Sequence, residues 1–178
     1  MDLSTRYLGL SLKHPVVASA SPLSRTVDGV RRLEDAGAAA VVMASIYEEE
    51  IAAEDAAYST LIERGSYAQP EAAGYFPQLY DYAGSLGAHL ETVRRAADAV
   101  DIPVIASLNG STREGWVEFA RELEEAGASA IELNVYRVPA DTDEDGETVE
   151  RGYVEIVRAV RQVIGVPISI KLGPYFSS

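Results

Sequence analysis

The chain has 178 residues, enough for one domain with a hydrophobic core. Its 28 acidic residues outnumber 15 basic ones, and a formal net charge of −13 repels phosphate backbones, which argues against nucleic acid as a partner. The absence of cysteine excludes disulfides, thiolate catalysis and thiolate metal sites. No apolar run is long enough to cross a bilayer, and Met1-Asp2-Leu3-Ser4 does not open like a signal peptide, so a cytoplasmic protein with no membrane partner is expected.

Taken in chain order, the pattern alternates strand and helix. Residues Leu3 to Lys13 predict two short strands around Gly9, a hairpin at the base of the fold. Pro15-Val-Val-Ala-Ser19 is a short apolar run with β-branched residues and predicts a buried strand. Val27, Val30 and Leu33 share one face of a helix from Thr26 to Ala36, which Gly37 closes. Ala40 to Met43 is the second strand of the series. Residues 46 to 84 then form a long insertion, or lid. It is helical from Tyr47 to Ile62, and Tyr67, Tyr75, Phe76, Tyr80 and Tyr82 follow among glycines and prolines.

Ser85 is expected to cap the next helix, whose stripe is Leu86, Leu90, Val93, Ala97 and Val100. Pro103 to Ser107 is the third strand. Ser111-Thr-Arg-Glu114 has the spacing of a capping box and opens a helix that buries Trp116, Phe119, Leu123 and Ala126. Ala130 to Asn134 is the fourth strand. A helix from Thr148 to Ile164 turns Val149, Tyr153, Ile156, Val160 and Val163 inward, and Pro167 to Lys171 is the fifth strand.

Strands alternating with helices imply parallel βαβ units. Arg32-Leu-Glu-Asp-Ala-Gly-Ala38 resembles Glu122-Leu-Glu-Glu-Ala-Gly-Ala128, and Pro15-Val-Val-Ala-Ser19 resembles Pro103-Val-Ile-Ala-Ser107. A strand–helix unit thus occurs twice. No glycine-rich first turn of a doubly wound sheet is present. The expected fold is α/β: a partial (β/α) barrel of the TIM type, about five of eight parallel strands with an N-terminal β-hairpin, in one domain over residues 1–178. Two open sheet edges then imply that the sequence is a fragment, that a complementing chain supplies further strands, or that the chain associates with itself.

Barrel chemistry sits at the C-terminal ends of strands. Lys171 stands there and is one of only two lysines. An ammonium closing an apolar strand calls for a flavin, phosphate or carboxylate ligand, or else it reaches water or pairs with Glu132 on the neighbouring strand. Asn134 offers a donor and an acceptor to a heterocycle's amide edge, or bonds its own backbone. Asn109, before Gly110, reads as a turn residue. Ser19, Ser21 and Ser107 read as helix caps that also lie within reach of a ligand. Arg137 follows the fourth strand and is able to hold an anion. His14 and His89 have no ligand spacing, and no metal is expected. Asp141-Thr-Asp-Glu-Asp-Gly146 starts like a calcium loop, but the position of its closing glutamate is Gly152, so it reads as a solvated acidic loop.

Leu8-Gly-Leu-Ser-Leu-Lys-His-Pro15 with Val16-Val-Ala-Ser19, then Glu132-Leu-Asn134, then Ile170-Lys-Leu-Gly-Pro-Tyr-Phe176, resemble in order the dihydroorotate dehydrogenase family. The resemblance implies an eight-stranded barrel with FMN at its top. It implies an oxidoreductase of pyrimidine metabolism that passes hydride from a dihydropyrimidine-like small molecule to the flavin. It places Lys171 at the flavin's pyrimidine edge and Asn134 against flavin or substrate, with Ser19, Ala20 and Ser21 along the ring. Ser45 is kept at a family position, beside Ala44 where the family has a lysine, and Asn109 is a further candidate. Arg137 stands nearest the family's active-site base, and arginine does not act as a base at neutral pH. Two other readings remain beside it: a Schiff-base lyase using Lys171 as nucleophile, and a partial barrel without catalysis that associates through its edges.

Overall fold

The computed structural model describes residues 1–68, 84–110, 112–136 and 143–173, and of residues 61–68 the backbone only. Two short strands, β1 (Thr5–Tyr7) and β2 (Leu10–Leu12), pair antiparallel as the expected hairpin. Leu8 and Gly9 both take positive φ at its tip, and Gly9 supplies the conformation without a Cβ penalty.

The remaining strands form one parallel sheet: β3 (Val41–Val42), β4 (Ile46–Tyr47), β5 (Val104–Asn109), β6 (Ala130–Val135) and β7 (Ile168–Leu172). Its order is β3-β5-β6-β7, with β4 pairing further along β5 on the same side as β3. The sheet is a curled half-barrel. Helices α1 (Val27–Asp35), α2 (Glu48–Ala68), α3 (Gly84–Ala99), α4 (Arg113–Glu125) and α5 (Gly146–Arg161) complete the described elements, with a short 3-10 turn at Pro22–Ser24.

Because side chains alternate along a strand, the sheet has two different faces. Val41, Val104, Ala106, Leu108, Ile131 and Leu133 meet α1, α3, α4 and α5 through Val30, Val93, Leu123 and Val160 in the larger core. Ala40, Val42, Ile105 and Ala130 point to the inside of the curl, where Leu12 of the hairpin covers them in a smaller core. The hairpin therefore plugs the N-terminal end of the sheet.

The repeated sequence unit has a structural counterpart. Glu34, near the end of α1, accepts the backbone N–H groups of Asp101 and Ile102 at 2.7 and 3.2 Å, in the turn that enters β5. Glu124, near the end of α4, accepts those of Gly165 and Val166 at 2.8 and 2.9 Å, in the turn that enters β7. Each acid thus satisfies two backbone donors that lead into the strand beyond its own. Gly37 and Gly127 follow at the same repeat position and take φ of +100° and +98°, the left-handed closure of each helix.

Several sequence expectations are corrected. Pro15 to Ser19 does not form a strand of its own. Val16 and Ala18 make ladder hydrogen bonds with Ala39, Ala40 and Val42, as an isolated parallel bridge of Ala18 to Val41, before the chain turns into Pro22–Ser24. Ser85 is inside α3 rather than at its cap, and its N–H donates to Glu54 Oε2 at 3.0 Å. Thr112 caps α4, its hydroxyl accepting from Gly115 N at 3.0 Å; Ser111 lies outside the described residues. The last helix starts earlier than Thr148 because Asp145 caps it, accepting from Thr148 N at 2.8 Å, and it ends at Arg161. The helix after the second strand runs to Ala68 rather than Ile62. Of the aromatic stretch, Tyr75, Phe76, Tyr80 and Tyr82 lie outside the described residues, and Tyr67 is described by backbone alone.

Candidate active site at the C-terminal mouth of the sheet

The inner face of the sheet turns polar toward the C-terminal strand ends. Below, it carries Val42, Ile105 and Ala130; above, it carries Ser107 and Asn109 of β5, Glu132 and Asn134 of β6, and Ser169 and Lys171 of β7. Register fixes this, since Ser107 pairs with Glu132, and Asn134 with Lys171. A cavity of about 470 Å³ opens over these ends, lined by Ala20, Ser45, Tyr47, Glu48, Glu49, Asn109, Gly110, Asn134, Tyr136 and Lys171. A second, of about 410 Å³, lies between the sheet and the hairpin, lined by residues that include Arg6, Ser19, Val42, Glu132 and Lys171.

Three side chains from three strand ends are knitted together. Asn134, 5% exposed, donates from Nδ2 to Ser107 Oγ at 2.8 Å, with longer contacts to Ser45 Oγ and the Leu108 carbonyl at 3.4 Å. Ser107 is fully buried, and its hydroxyl meets that of Ser45 at 2.8 Å. The Leu108 carbonyl is an acceptor, so it takes the NH2 end of the Asn134 amide and not its oxygen, which favours this orientation of the amide. Ser107 accepts from Asn134, and either hydroxyl of the Ser45–Ser107 pair is able to donate to the other. Ser45 also lines the cavity, where its hydroxyl offers a ligand both a donor and an acceptor. Asn134 Oδ1 and Asn109 Oδ1 are buried with no hydrogen-bond partner. A buried carbonyl oxygen without a donor costs about 1–3 kcal/mol, so a ligand that donates there recovers that cost.

Lys171 Nζ donates to Glu132 Oε1 at 3.2 Å; the lysine side chain is 42% exposed and the glutamate 14%. At the cavity's far wall, Glu48 opens α2 and accepts from both the N–H and the hydroxyl of Thr112 at the start of α4. A methyl group at Gly115 would run into the Glu48 carboxyl group as it is placed, so glycine leaves room for this contact.

The structure thus brings together Lys171, Asn134, Ser45, Asn109 and Ala20. Ser19 lines the second cavity instead, and Ser21 holds the turn into Pro22–Ser24, its N–H donating to Ser24 Oγ at 3.3 Å. Arg137 lies outside the described residues. Ser107 is not a helix cap but the hub of the hydroxyl–amide network, and Asn109 ends β5 with its carbonyl oxygen unpartnered rather than turning on its own backbone. Among the described residues no group of three or more His, Cys, Asp or Glu is placed to hold a metal. Asp145, expected in a solvated loop, is exposed but caps α5, and hydrogen bonds from Thr148 hold its carboxyl below the usual range. Sequence reasoning missed Glu48 and Glu49 because they sit in the insertion. It missed the Ser45–Ser107 pair because 62 positions separate them.

Among solved structures, a variant of NCR from Zymomonas mobilis aligns over 97% of this chain and 58% of its own at 14% identity and a TM-score of 0.61. Phosphonopyruvate hydrolase in complex with oxalate and Mg²⁺ aligns over 89% and 48% at 21% identity and a TM-score of 0.51. At these identities the likeness is one of fold, that of TIM barrels. No family model matches the chain. The catalytic subunit of dihydroorotate dehydrogenase B (NAD⁺) from Methanocella arvoryzae is 32% identical over 98% of this chain and 54% of its own length. That from Thermoplasma acidophilum is 29% identical over 99% and 56%. The chain spans about half the length of the curated relatives it matches. Nearly all its residues match the N-terminal part of these dihydroorotate dehydrogenase catalytic subunits, and it folds as half of a TIM barrel, so the dihydroorotate dehydrogenase family is the one this chain is similar to.

Proposed function

We propose that the mouth of this half-barrel is the pyrimidine-edge subsite of an FMN-dependent oxidoreductase that takes hydride from a dihydropyrimidine-like substrate. The observation that carries the reading is the adjacency of Lys171 and Asn134, paired in register on the inner face, with an unpartnered Asn134 Oδ1 between the strand ends. A flavin's pyrimidine edge presents carbonyl acceptors around one N–H donor. Lys171 and the Ser45 hydroxyl are donors, and Asn134 Oδ1 is an acceptor in want of a donor, so the donor set fits that edge. Lys171 is the one cation in the described lining and Glu48 and Glu49 share that lining, so this cavity suits the ring rather than the phosphate.

The chemistry FMN supplies when bound is acceptance of a hydride from a CH–CH donor. This chain's residues bind and orient. Lys171 holds a positive charge where negative charge accumulates, an electrostatic stabilisation built in before reaction. Asn134 is fixed by Ser107 and Leu108, so its carbonyl oxygen is pre-aimed. The Schiff-base reading needs a Lys171 amine free to attack a carbonyl, and Lys171 is engaged by Glu132.

Titration of FMN against the protein, followed by flavin fluorescence, tests the assignment. Lys171→Ala and Asn134→Ala are each expected to weaken FMN binding by roughly tenfold or more, as loss of one charge-assisted or buried hydrogen bond does. Equal affinity in wild type and both variants would contradict it.

A further inference from the structure

Lys171 lines both cavities, the one at the strand ends and the one above the hairpin, so its ammonium sits on their boundary. Its register partner is Asn134, but its ion-pair partner is Glu132, two residues earlier on β6. Two strand residues span roughly 6.5–7 Å. The lysine side chain therefore leans back toward the hairpin, away from the mouth where Asn134 Oδ1 lies unpartnered. Glu132 is the more buried member, and its register partner Ser169 has a buried hydroxyl with no hydrogen bond; of the two cations that line the second cavity with it, Arg6 and Lys171, Lys171 is the one it pairs with.

In a part-buried ion pair of this kind the desolvation of the carboxylate offsets much of the attraction, which gives little structural reason for a carboxylate inside the curl. We propose that Glu132 is a positioning residue. It tethers the Lys171 ammonium at the boundary of the two cavities and competes for it with negative charge on a ligand in the upper one. Oxidised flavin carries no such charge at its pyrimidine edge and leaves the tether closed; reduced flavin carries it and draws the ammonium up. The carboxylate thus sets how strongly the site favours the reduced over the oxidised cofactor. The inference rests on the flavin assignment above.

Two measurements on the full chain separate the inference from that assignment. The first needs no flavin. With only Lys13 and Lys171 in the sequence, the ratio of their acylation rates, read by peptide mass spectrometry, reports how firmly Lys171 is held, with Lys13 as internal reference. Glu132→Gln is expected to raise the Lys171:Lys13 ratio several-fold, and Glu132→Asp, which keeps the charge on a shorter arm, to fall between. The second is the midpoint potential of bound FMN, which gives the ratio of affinities for reduced and oxidised cofactor. Glu132→Gln is expected to shift that ratio toward reduced FMN by roughly fivefold or more, the lower range of coupling between two groups that share a partner. An unchanged labelling ratio would overturn the tether, and a raised ratio with an unchanged potential would overturn the competition. If neither protein takes up FMN, the flavin assignment fails and the competition with it, while the labelling ratio still decides whether Glu132 holds Lys171.

Discussion

The Asn134 amide spends its two N–H groups on Ser107, Ser45 and the Leu108 carbonyl, and keeps its buried carbonyl oxygen without a partner. Ser107→Ala is expected to remove the amide's best acceptor and cost about 1–3 kcal/mol by chemical denaturation. It should also weaken FMN binding, since Asn134 is no longer held. Other buried polar atoms make the fold pH-dependent. Burial pushes the His89 imidazole below its ordinary 6.5 and leaves Nε2 without a partner. The folded state therefore holds fewer protons than the unfolded one, and the stability carried by neutral His89 is complete above pH 6.5 and lost as pH falls through the lowered value. Thermal midpoints should decline below pH 6.5, and His89→Gln should flatten that decline. Glu122 is shifted the other way: burial first, then Glu118 and Glu125, push its carboxyl above 4.5. A raised value means stability present below 4.5 and lost as pH rises through the folded value. Glu122→Gln should raise the thermal midpoint at neutral pH and leave it unchanged in acid.

At the scale of the element, the twice-occurring unit is held by a side chain rather than by packing alone. Glu34 and Glu124 each tie a helix end to the turn entering the next strand of the sheet. Glu34→Ala and Glu124→Ala are each expected to cost about 1.5–3 kcal/mol, the scale of hydrogen bonds to a charged acceptor. The two losses should add, because the sites share no partner. A double-mutant cycle by urea unfolding checks both statements. At the opposite end of the strands, Gly115 lets Glu48 reach Thr112, joining the N-termini of α2 and α4. Gly115→Ala is expected to push the Glu48 carboxylate off Thr112; the carboxylate is the end of a flexible side chain and moves at little cost, so the contact is lost while alanine's better helix propensity keeps the urea midpoint near that of the wild type. Repeat spacing and apolar stripes showed the βαβ units, α1, α4 and their closing glycines, because period and turn chemistry are local. The caps were less legible. Thr112 caps α4 where Ser111 was expected to, and Asp145 starts α5 ahead of the expected Thr148, because several residues with capping side chains stand together at each helix start and backbone geometry selects one of them.

Across the whole molecule, the same sheet separates two environments. The helix side is apolar throughout, and the inner face passes from an apolar base under the hairpin to a polar mouth. Lys171 and Asn134 stood out in the sequence because a lysine and an asparagine at the ends of apolar strands are out of place there. Their neighbours did not, because Ser45, Ser107 and Glu48 meet only through strand order. That order is β3-β5-β6-β7, with β4 alongside β5. Glu132 was visible as a partner for Lys171 but not as the group that turns it away from the mouth, which depends on the register of β6 with β7. The repeat and the strand alternation were enough for the barrel architecture, whereas the cavity needed the insertion's first turn, Glu48 and Glu49, laid against it.

The most direct test of the account is the visible absorbance spectrum of the protein after incubation with FMN and removal of unbound cofactor by gel filtration. The account expects oxidised-flavin bands that travel with the protein, perturbed from those of free FMN, and diminished in Lys171→Ala prepared in the same way. A protein that leaves the column colourless after excess FMN would contradict it.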